Sequence, residues 1–376
     1  MAKETKEKAK PKANSKRVKL DINSLIASID KKYGEGTIQL NNSVVDIETI
    51  STRIPSLDYA LGVGGLPRGR VVEVYGQESC GKTTLCLSVV AEAQSKGLTC
   101  AFIDAEHALD PTWAANIGVD VSKLLIHQPS CGEEAFDVCE QMINSGSIQL
   151  IIIDSVAALT PQAELDGDMG DQMIGVQARM MGKGLRKING IAKTNGCTVI
   201  FINQLREKIG VMFGNPITTT GGKALKFYAS IRMDIAKTGV VKEGEISVAS
   251  QTRVKVVKNK CAAPFTEATF QIAYGKNGRC YGPDMVTSLM ELAEELGVIK
   301  RSGSSYKYGE VKLGSGMDNA STTVKTTPGL KEKINDEIMA LLKSKKVAPV
   351  QKIEATEDDD YDDSEDKEPG ESGFEE

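Results

Sequence analysis

The sequence predicts an α/β fold in which helices flank a mostly parallel, twisted sheet. Apolar runs rich in β-branched residues recur between helical patterns, as expected for parallel strands joined by crossover helices. The runs span residues 71–75, 99–104, 124–127, 150–154 and 197–203. A glycine-rich motif follows the first run, and open sheets of this kind bind ligands at the carboxyl ends of their strands. The same pattern therefore indicates both the fold class and a candidate ligand site.

The glycine-rich motif fits the pattern G-x-x-x-x-G-K-[ST] of phosphate-binding loops. Its residues are Gly76, Gln77, Glu78, Ser79, Cys80, Gly81, Lys82, Thr83 and Thr84. A predicted helix over 84–96 follows it, so free backbone N–H groups and a helix N-terminus surround one small volume. We expect a nucleoside triphosphate there, with Lys82 at the β- and γ-phosphates and the Thr83 hydroxyl on Mg²⁺. The alternative, a glycine turn without a ligand, is disfavoured by the matching flanks.

Length and composition are those of an ordinary globular protein with room for two domains. The chain has 376 residues, of which 40% are hydrophobic and 26% are charged. The sequence contains no run of about 18 apolar residues, so it does not predict a transmembrane helix. Residues 1–19 lack the apolar segment of a secretory signal. The eight cysteines contain no C-x-x-C pair, so we expect reduced thiols in a cytoplasmic protein rather than disulfides or zinc.

The net charge of −5 conceals a strong asymmetry between the two ends. Residues 1–20 hold eight basic and two acidic residues, whereas residues 354–376 hold thirteen acidic residues and one lysine. We expect a disordered basic leader over 1–20 and a disordered acidic tail over 346–376. The tail either keeps the protein in solution or competes with an anionic partner for a basic surface.

Two of the predicted strands end in carboxylates that suit phosphate chemistry. Asp154 follows four aliphatic residues, which is typical of a Walker-B aspartate that holds Mg²⁺. Glu106 follows another strand and is placed to orient or deprotonate an attacking water. Each could simply end its strand, but their position beside a phosphate loop favours chemistry. Asp110 begins the next predicted helix, and Trp113 either packs in the core or stacks on a base.

Two long, polar, glycine-rich segments over 155–175 and 205–222 interrupt the core. Loops of this length in a compact domain are usually functional or disordered. The second segment interleaves basic and apolar residues before a Gly-Gly pair, which favours contact with a phosphodiester backbone and apolar wedges between bases. The residues concerned are Arg206, Lys208, Ile209, Met212, Phe213, Gly221 and Gly222. We therefore predict a nucleic-acid surface.

These patterns divide the chain into five parts. After the leader, residues 21–52 form an N-terminal segment with a predicted helix whose apolar stripe packs on its own domain or docks on another subunit. Asp21 is the candidate N-cap of that helix. The ATPase core spans 53–280. Short helices around a glycine- and serine-rich β-like segment predict a small α+β domain over 281–345, before the tail.

The motifs in this order resemble the bacterial RecA recombinase family from about residue 20 to residue 342. The matching stretches are 47–52, 64–67, 76–84, 102–111, 154–161, 201–204, 210–230 and 253–265. The resemblance implies a RecA-like core with an N-terminal helix and strand that mediate polymerisation. It also implies a DNA-dependent ATPase that forms filaments on single-stranded DNA and exchanges strands with homologous duplex DNA. Activation of self-cleavage of a LexA-type repressor in the SOS response is a further expectation.

The resemblance implies an ATP site that is completed across a subunit boundary. Contacts to ATP and Mg²⁺ within one subunit would come from Lys82, Thr83, Asp110, Trp113 and Asp154. Glu106 would be the catalytic carboxylate and Gln204 the γ-phosphate sensor. Lys258 and Lys260 would reach the ATP of the neighbouring subunit and stabilise transition-state charge, as arginine fingers do.

The resemblance also assigns DNA and subunit contacts. Ile174, Arg179 and Arg186 would line the DNA together with both glycine-rich segments, 155–175 and 205–222. In the second segment, Ile209 would be a wedge between base triplets. Contacts between subunits would involve Phe227, Lys226 and Arg232.

Several features depart from the family pattern, including Gln77 in the phosphate loop, Ile174 in the first glycine-rich segment and the lysine-rich leader. Cys80 replaces a serine of the phosphate loop, Glu207 places a negative charge in the second DNA segment, and 301–306 lacks the usual aromatic pattern. A helix N-terminus and Lys82 both favour the Cys80 thiolate, so we expect a reactive thiol. The competing interpretations are a motor or regulatory ATPase on the same fold, such as a hexameric helicase or a clock kinase, and a scaffold that binds ATP without cleaving it. Glu106 and Gln204 disfavour the scaffold.

Overall fold

A computed structural model describes residues 21–34, 37–38, 47–168, 173, 175–207 and 217–344. The basic leader and the acidic tail lie outside the described residues, as do the predicted DNA contacts Ile174, Lys208, Ile209, Met212 and Phe213. The chain divides into two units, Met1–Asp46 and Ile47–Glu376, which are described separately.

The described part of the first unit contains helix α1, Ile22–Tyr33, which confirms the helix predicted there. Asp21 occupies the N-cap position, but its side chain makes no capping hydrogen bond, contrary to expectation. None of the residues of α1 is buried, and Ile22 and Leu25 of the apolar stripe are 60% and 45% exposed.

The second unit contains the remaining helices and all the strands of the described residues. The strands are β1 Thr49–Ile50, β2 Leu66–Pro67, β3 Val71–Gly76, β4 Cys100–Asp104, β5 Leu125–His127, β6 Leu150–Asp154, β7 Thr198–Glu207, β8 Ile217–Thr219, β9 Ile231–Glu243, β10 Ile246–Asn259, β11 Thr266–Tyr274, β12 Tyr281–Pro283, β13 Ile299–Ser302, β14 Ser305–Tyr308 and β15 Val311–Ser315. The helices are α2 Pro55–Ala60, α3 Lys82–Ser95, α4 Pro111–Ile117, α5 Gly132–Asn144, α6 Gln162–Asp166, α7 Val176–Thr194, α8 Ala224–Tyr228, α9 Met285–Glu295, α10 Met317–Thr326 and α11 Leu330–Ser344.

One large sheet organises the second unit, with the strand order β12-β11-β10-β9-β3-β7-β6-β4-β5. The strands from β9 through β3 to β5 are parallel, which confirms the predicted parallel sheet, and β9 to β12 continue it as antiparallel strands. Successive residues of a strand point to opposite faces. Val72 and Val74 thus join the core that includes α3, whereas Val71 joins the core that includes α5 and α7. Both faces of β3 are therefore buried, whereas the edge strand β5 exposes Leu125 and Ile126.

The two glycine-rich segments are more ordered in their described parts than the sequence predicts. The first contains a 3-10 turn, Val156–Ala158, and the short helix α6. In the second, β7 continues to Glu207 and pairs antiparallel with β8, so that Leu205 faces Thr219. The ends of this segment are therefore held together by the sheet.

A small α+β region follows the sheet, as predicted. Strands β13, β14 and β15 form an antiparallel sheet that shares a hydrophobic core with α9, α10 and α11. The unusual segment 301–306 forms the β13–β14 hairpin, in which the Arg301 guanidinium lies 5.5 Å from the centre of the Tyr306 ring. Within the residues described, no helix combines the length and apolarity needed to cross a membrane.

Candidate active site

The glycine-rich motif forms the turn between β3 and α3, as predicted. Gly76 ends β3, and a Cβ there would lie 2.1 Å from the carbonyl oxygen of Ile235, so only glycine fits. Gly81 precedes α3 with φ at 100°, a left-handed conformation in which side chains other than hydrogen are strained. The loop thus directs the free N–H groups of the start of α3 into the space above the sheet.

The two predicted phosphate and metal residues of this loop already have partners. Lys82 Nζ donates to the carbonyl oxygens of Gly76 and Gln77 at 3.0 and 2.6 Å, which places the ammonium inside the loop. The Thr83 hydroxyl donates to Asp154 Oδ2 at 2.7 Å. Burial raises the pKa of Asp154 to about 6, although the hydrogen bond from Thr83 opposes the rise.

This donor set suits a magnesium ion that arrives with a nucleotide. Mg²⁺ is usually held by one or two protein oxygens together with phosphate oxygens and water. The Thr83 hydroxyl and the Asp154 carboxylate supply such oxygens. Among the described residues, no group of three or more His, Cys, Asp or Glu side chains is placed to hold a metal ion.

A second polar group lies at the carboxyl ends of β4, β6 and β7. Glu106 Oε1 accepts a hydrogen bond from Gln204 Nε2 at 2.8 Å and a second one from the Ser155 hydroxyl. The backbone N–H of Glu106 donates to the carbonyl oxygen of Asp154 at 3.2 Å. Glu106 is therefore held next to the Thr83–Asp154 pair. Sequence reasoning did not assign a role to Ser155; its position directly after Asp154, at the end of a predicted strand, was the available signal.

Asp110 and Trp113 lie where the chain leaves this region. Asp110 accepts from the backbone N–H of Thr112 at 2.8 Å and so caps α4, as predicted. Trp113 Nε1 donates to the Thr84 hydroxyl at 3.2 Å, and its ring packs edge-to-face on Tyr281 at 5.8 Å. The half-buried Trp113 is thus tied to the phosphate loop, and Tyr281 is a neighbour that the sequence did not reveal.

The expectation of a reactive Cys80 thiolate is wrong. The side chain is only 4% exposed, and its Sγ lies 3.9 Å from Lys82 Nζ. Burial raises the pKa of the thiol, and this effect outweighs the opposing effect of Lys82. The local sequence showed the ammonium and the helix N-terminus, but not the desolvation.

Lys258 and Lys260 converge on the C-terminal end of α8. Lys258 Nζ donates to the carbonyl oxygens of Lys226 and Phe227 at 2.5 and 3.1 Å, and Lys260 Nζ donates to that of Phe227 at 3.3 Å. Burial, followed by the neighbouring charges of Lys260 and Arg232, lowers the pKa of Lys258 to about 8. The Phe227 side chain is 71% exposed beside them.

The described residues predicted to contact DNA lie on α7, on β7 and in the turn just before α8. Arg179 and Arg186 are exposed and seven positions apart on α7, which places them on one face, and Arg206 is exposed on β7. Gly222 has a φ of 76°, and a Cβ there would lie 2.7 Å from that of Ala178 in α7. Gly221 approaches Val156 equally closely. The two glycines thus let the end of the second segment lie against α7 and the first segment.

The parallel sheet, the phosphate loop and the Thr83–Asp154 pair define a P-loop nucleoside triphosphatase. Comparison with protein families narrows the class. The RecA N-terminal domain family matches residues 20–278, and the RecA C-terminal domain family matches residues 287–343. The chain belongs to the RecA family, as the motifs predicted.

Individual relatives agree with this assignment. The chain is 53% identical over 319 residues to Protein RecA of Haemophilus ducreyi, which covers 84% of both chains. It is 53% identical over 319 residues to Protein RecA of Mannheimia haemolytica, covering 84% of this chain and 85% of the relative. Protein RecA of Psychrobacter arcticus is 49% identical over 322 residues, covering 85% of this chain and 90% of the relative.

Membership of the family decides between the competing interpretations. The chain is a nucleotide-binding, DNA-dependent ATPase that binds DNA, forms filaments and catalyses strand exchange in recombination and repair, with a role in the SOS response. The recombinase prediction is confirmed over the motor, regulatory and scaffold alternatives.

Proposed function

We propose that the chain hydrolyses ATP with Mg²⁺ while polymerised on single-stranded DNA, and that it pairs this strand with homologous duplex DNA. The convergence of Glu106, Ser155 and Gln204 beside the Thr83–Asp154 pair carries the proposal. The Thr83–Asp154 pair suits the phosphates and the metal ion. The group formed by Glu106, Ser155 and Gln204 suits the attacking water. Both are supplied by the carboxyl ends of neighbouring strands and by the loop after β3.

Within one subunit, we assign ATP binding to the whole loop 76–84, and we assign Asp110 and Trp113 to contacts with the adenine base. Lys82 would exchange its carbonyl partners for phosphate oxygens, and Thr83 and Asp154 would hold Mg²⁺, which supplies positive charge to the phosphates when bound. Glu106 orients the water and takes its proton. Ser155 keeps the carboxylate in place for this task.

Gln204 is the proposed γ-phosphate sensor. Its amide donates to Glu106, and it lies on β7, the strand that leads into the second DNA segment. Contact between Gln204 and the γ-phosphate would therefore release one hydrogen bond to Glu106 and pull on the DNA segment in the same movement. This links nucleotide recognition to DNA binding.

We assign Lys258 and Lys260 to the nucleotide of a neighbouring subunit. Lys258 pairs with Arg232 across β9 and β10, and Arg232 pairs with Glu73 of β3. Glu73 precedes Gly76 by three residues, or about 10 Å of extended strand, so the lysines lie toward the opposite end of the sheet from the subunit's own phosphate loop. The exposed Phe227 beside them, with Lys226 and Arg232, suits the subunit contact.

For DNA, we assign Arg179, Arg186 and Arg206, together with Gly221 and Gly222, to a surface shared with the second segment. Ile174, Lys208, Ile209, Met212 and Phe213 complete the proposed set from outside the described residues. Exposed arginines supply phosphate contacts, and apolar side chains supply wedges between bases.

The proposed organisation keeps the boundaries predicted from the sequence. Residues 21–52 serve oligomerisation, which suits the exposed apolar stripe of α1, and 53–280 form the ATPase core. Residues 281–345 form the C-terminal domain. We also propose a cytoplasmic location, which the eight free thiols favour, and a LexA-type repressor as a further partner.

Replacement of Glu106 by Gln tests the hydrolytic assignment. The amide oxygen can still accept from Ser155 or Gln204, but it cannot take a proton from water. We expect ATP binding to persist while hydrolysis on single-stranded DNA falls by about 10²- to 10⁴-fold. The matched control, Glu310→Gln at an exposed position of the C-terminal domain, should retain the parent rate. Hydrolysis by Glu106→Gln at the parent rate would remove Glu106 from the mechanism.

A further inference from the structure

A buried carboxylate lies in the middle of the sheet and has no part in the site described above. Glu73 of β3 has no exposed surface. Charged side chains are almost never fully buried unless they are paired. Each of its oxygens has one partner: Oε1 accepts from Asn203 Nδ2 at 2.9 Å, and Oε2 accepts from Arg232 Nε at 2.5 Å. Glu73 therefore bridges β7 on one side of β3 and β9 on the other.

The first partner leads to the sensor strand. Asn203 is fully buried, and its Oδ1 accepts from the backbone N–H of Gln204 at 2.9 Å. Its side chain also bonds Thr220, which follows β8: Nδ2 donates to the Thr220 carbonyl oxygen at 3.1 Å, and Oδ1 accepts from the hydroxyl at 2.5 Å. A carboxylate can only accept, so Glu73 makes Asn203 present its NH₂ group to β3 and its oxygen to Gln204.

The second partner leads to the lysine pair. The Arg232 guanidinium is held between Glu73 and the ring of Tyr75, whose centre lies 4.8 Å away. Arg232 lies opposite Lys258 in the pairing of β9 with β10. The charged groups that act on Lys258 are Lys260, Arg232 and Glu73, and Glu73 is the one negative charge among them.

We propose that Glu73 is a positioning residue that couples Gln204 to Lys258. Through Asn203 it fixes the backbone at Gln204, and it fixes Thr220 at the end of the second DNA segment. Through Arg232 it fixes the strand that presents the lysine pair to the next subunit. A shift of Thr220 and Asn203 when DNA engages the segment therefore reaches Lys258 through two hydrogen bonds and a packed strand. The inference rests on the roles proposed above for Gln204 and Lys258.

The effect of Glu73 on Lys258 gives the inference a readout that a purely structural role would not share. The negative charge of Glu73 raises the pKa of Lys258, whereas Arg232 lowers it. Because protonated Lys258 is the active form, loss of activity at alkaline pH follows its titration. The pH dependence of kcat/KM for ATP, measured on single-stranded DNA, reports the pKa before ATP binds.

Three variants test the direction of the shift in the alkaline limb, the part of the profile where kcat/KM falls as pH rises. Glu73→Gln should move this limb to lower pH by about one unit, a small shift for neighbouring charges. Arg232→Gln should move it to higher pH. The double variant Glu73→Gln with Arg232→Gln leaves no unpaired buried charge and should return the limb toward that of the parent. Glu294→Gln, which removes the 3.5 Å ion pair with Arg301 in the C-terminal domain, is the matched control and should not move it.

The outcomes separate this inference from the function on which it rests. A Glu73→Gln limb that coincides with that of the parent overturns the inference, and so do single variants that shift it in the same direction. If Glu73→Gln does not fold, the other two variants test the inference. Arg232→Gln should still move the alkaline limb to higher pH, and the double variant should still return it toward the parent. Lys258→Ala with undiminished DNA-stimulated hydrolysis overturns the proposed role of Lys258 instead. An inactive Lys258→Ala beside an unshifted Glu73→Gln overturns only the role of Glu73.

Discussion

Two glycines of α7 predict opposite results for the same replacement. In a helix interior, alanine is more favourable than glycine by about 1 kcal/mol. At Gly190 no heavy atom beyond the nearby backbone of α7 itself lies within 4 Å of an added Cβ, so Gly190→Ala should raise the free energy of unfolding by about that amount. At Gly184 the added Cβ would lie 2.4 Å from Cδ1 of Phe136, a ring that is 5% exposed between α5 and β7. Overpacking of this kind costs about 1–3 kcal/mol, so Gly184→Ala should be destabilising despite its helix propensity.

Urea unfolding of the nucleotide-free protein, followed by circular dichroism at one protein concentration, measures both effects. Fixed concentration is required because self-association stabilises the folded state. The two variants should differ by about 1–3 kcal/mol, with Gly190→Ala above the parent and Gly184→Ala below it. Phe136→Leu removes the ring that faces Gly184. In this Phe136→Leu background, Gly184→Ala should lower the free energy of unfolding by less than it does in the parent. Equal stability of the two alanine variants would refute the close approach of α5 and α7.

Two further predictions concern the nucleotide site. Replacement of Lys258 and Lys260 by Ala should abolish DNA-stimulated hydrolysis, and mixing with Lys82→Ala protein should restore part of it at mixed interfaces, because each variant supplies the half that the other lacks; mixed filaments without any rescue would contradict a shared site. Because Cys80 is buried and its pKa is raised, maleimide at neutral pH should label the exposed Cys280 well before Cys80. Mass spectrometry of the labelled peptides measures this, and preferential labelling of Cys80 would contradict the burial argument.

The sequence predicted those features that depend on neighbours along the chain. The phosphate loop follows from its own spacing and flanks, and the carboxylate that ends β6 follows from the aliphatic run before it. Contacts between distant residues could not be read in this way. Ser155 meets Glu106 across 49 positions, and Glu73 meets Arg232 across 159. A glutamate inside an apolar strand was visible in the sequence, but its two partners appear only when β7 and β9 flank β3.

The pKa of Cys80 also depends on contacts that the local sequence does not show. Lys82 and the helix N-terminus are adjacent in sequence and both stabilise a thiolate. Burial of the side chain comes from tertiary packing, and this cost is larger. Local charge alone therefore gave the wrong sign for the pKa shift.

The direction of the strands agrees with the proposed use of two subunits by one ATP site. Parallel strands bring all their carboxyl ends to one edge of the sheet, where β3, β4, β6 and β7 supply the phosphate loop, Glu106, Asp154 and Gln204. Strand β10 runs the other way, so its carboxyl end carries Lys258 away from that edge. With the proposed assignments, a subunit presents the phosphate loop as one half of the ATP site and the lysine pair as the other half, on different surfaces. The proposed contact between these halves is head-to-tail rather than two-fold, and repetition of a head-to-tail contact that does not close gives a helical filament. The proposal therefore connects the antiparallel direction of β10 with the formation of a filament.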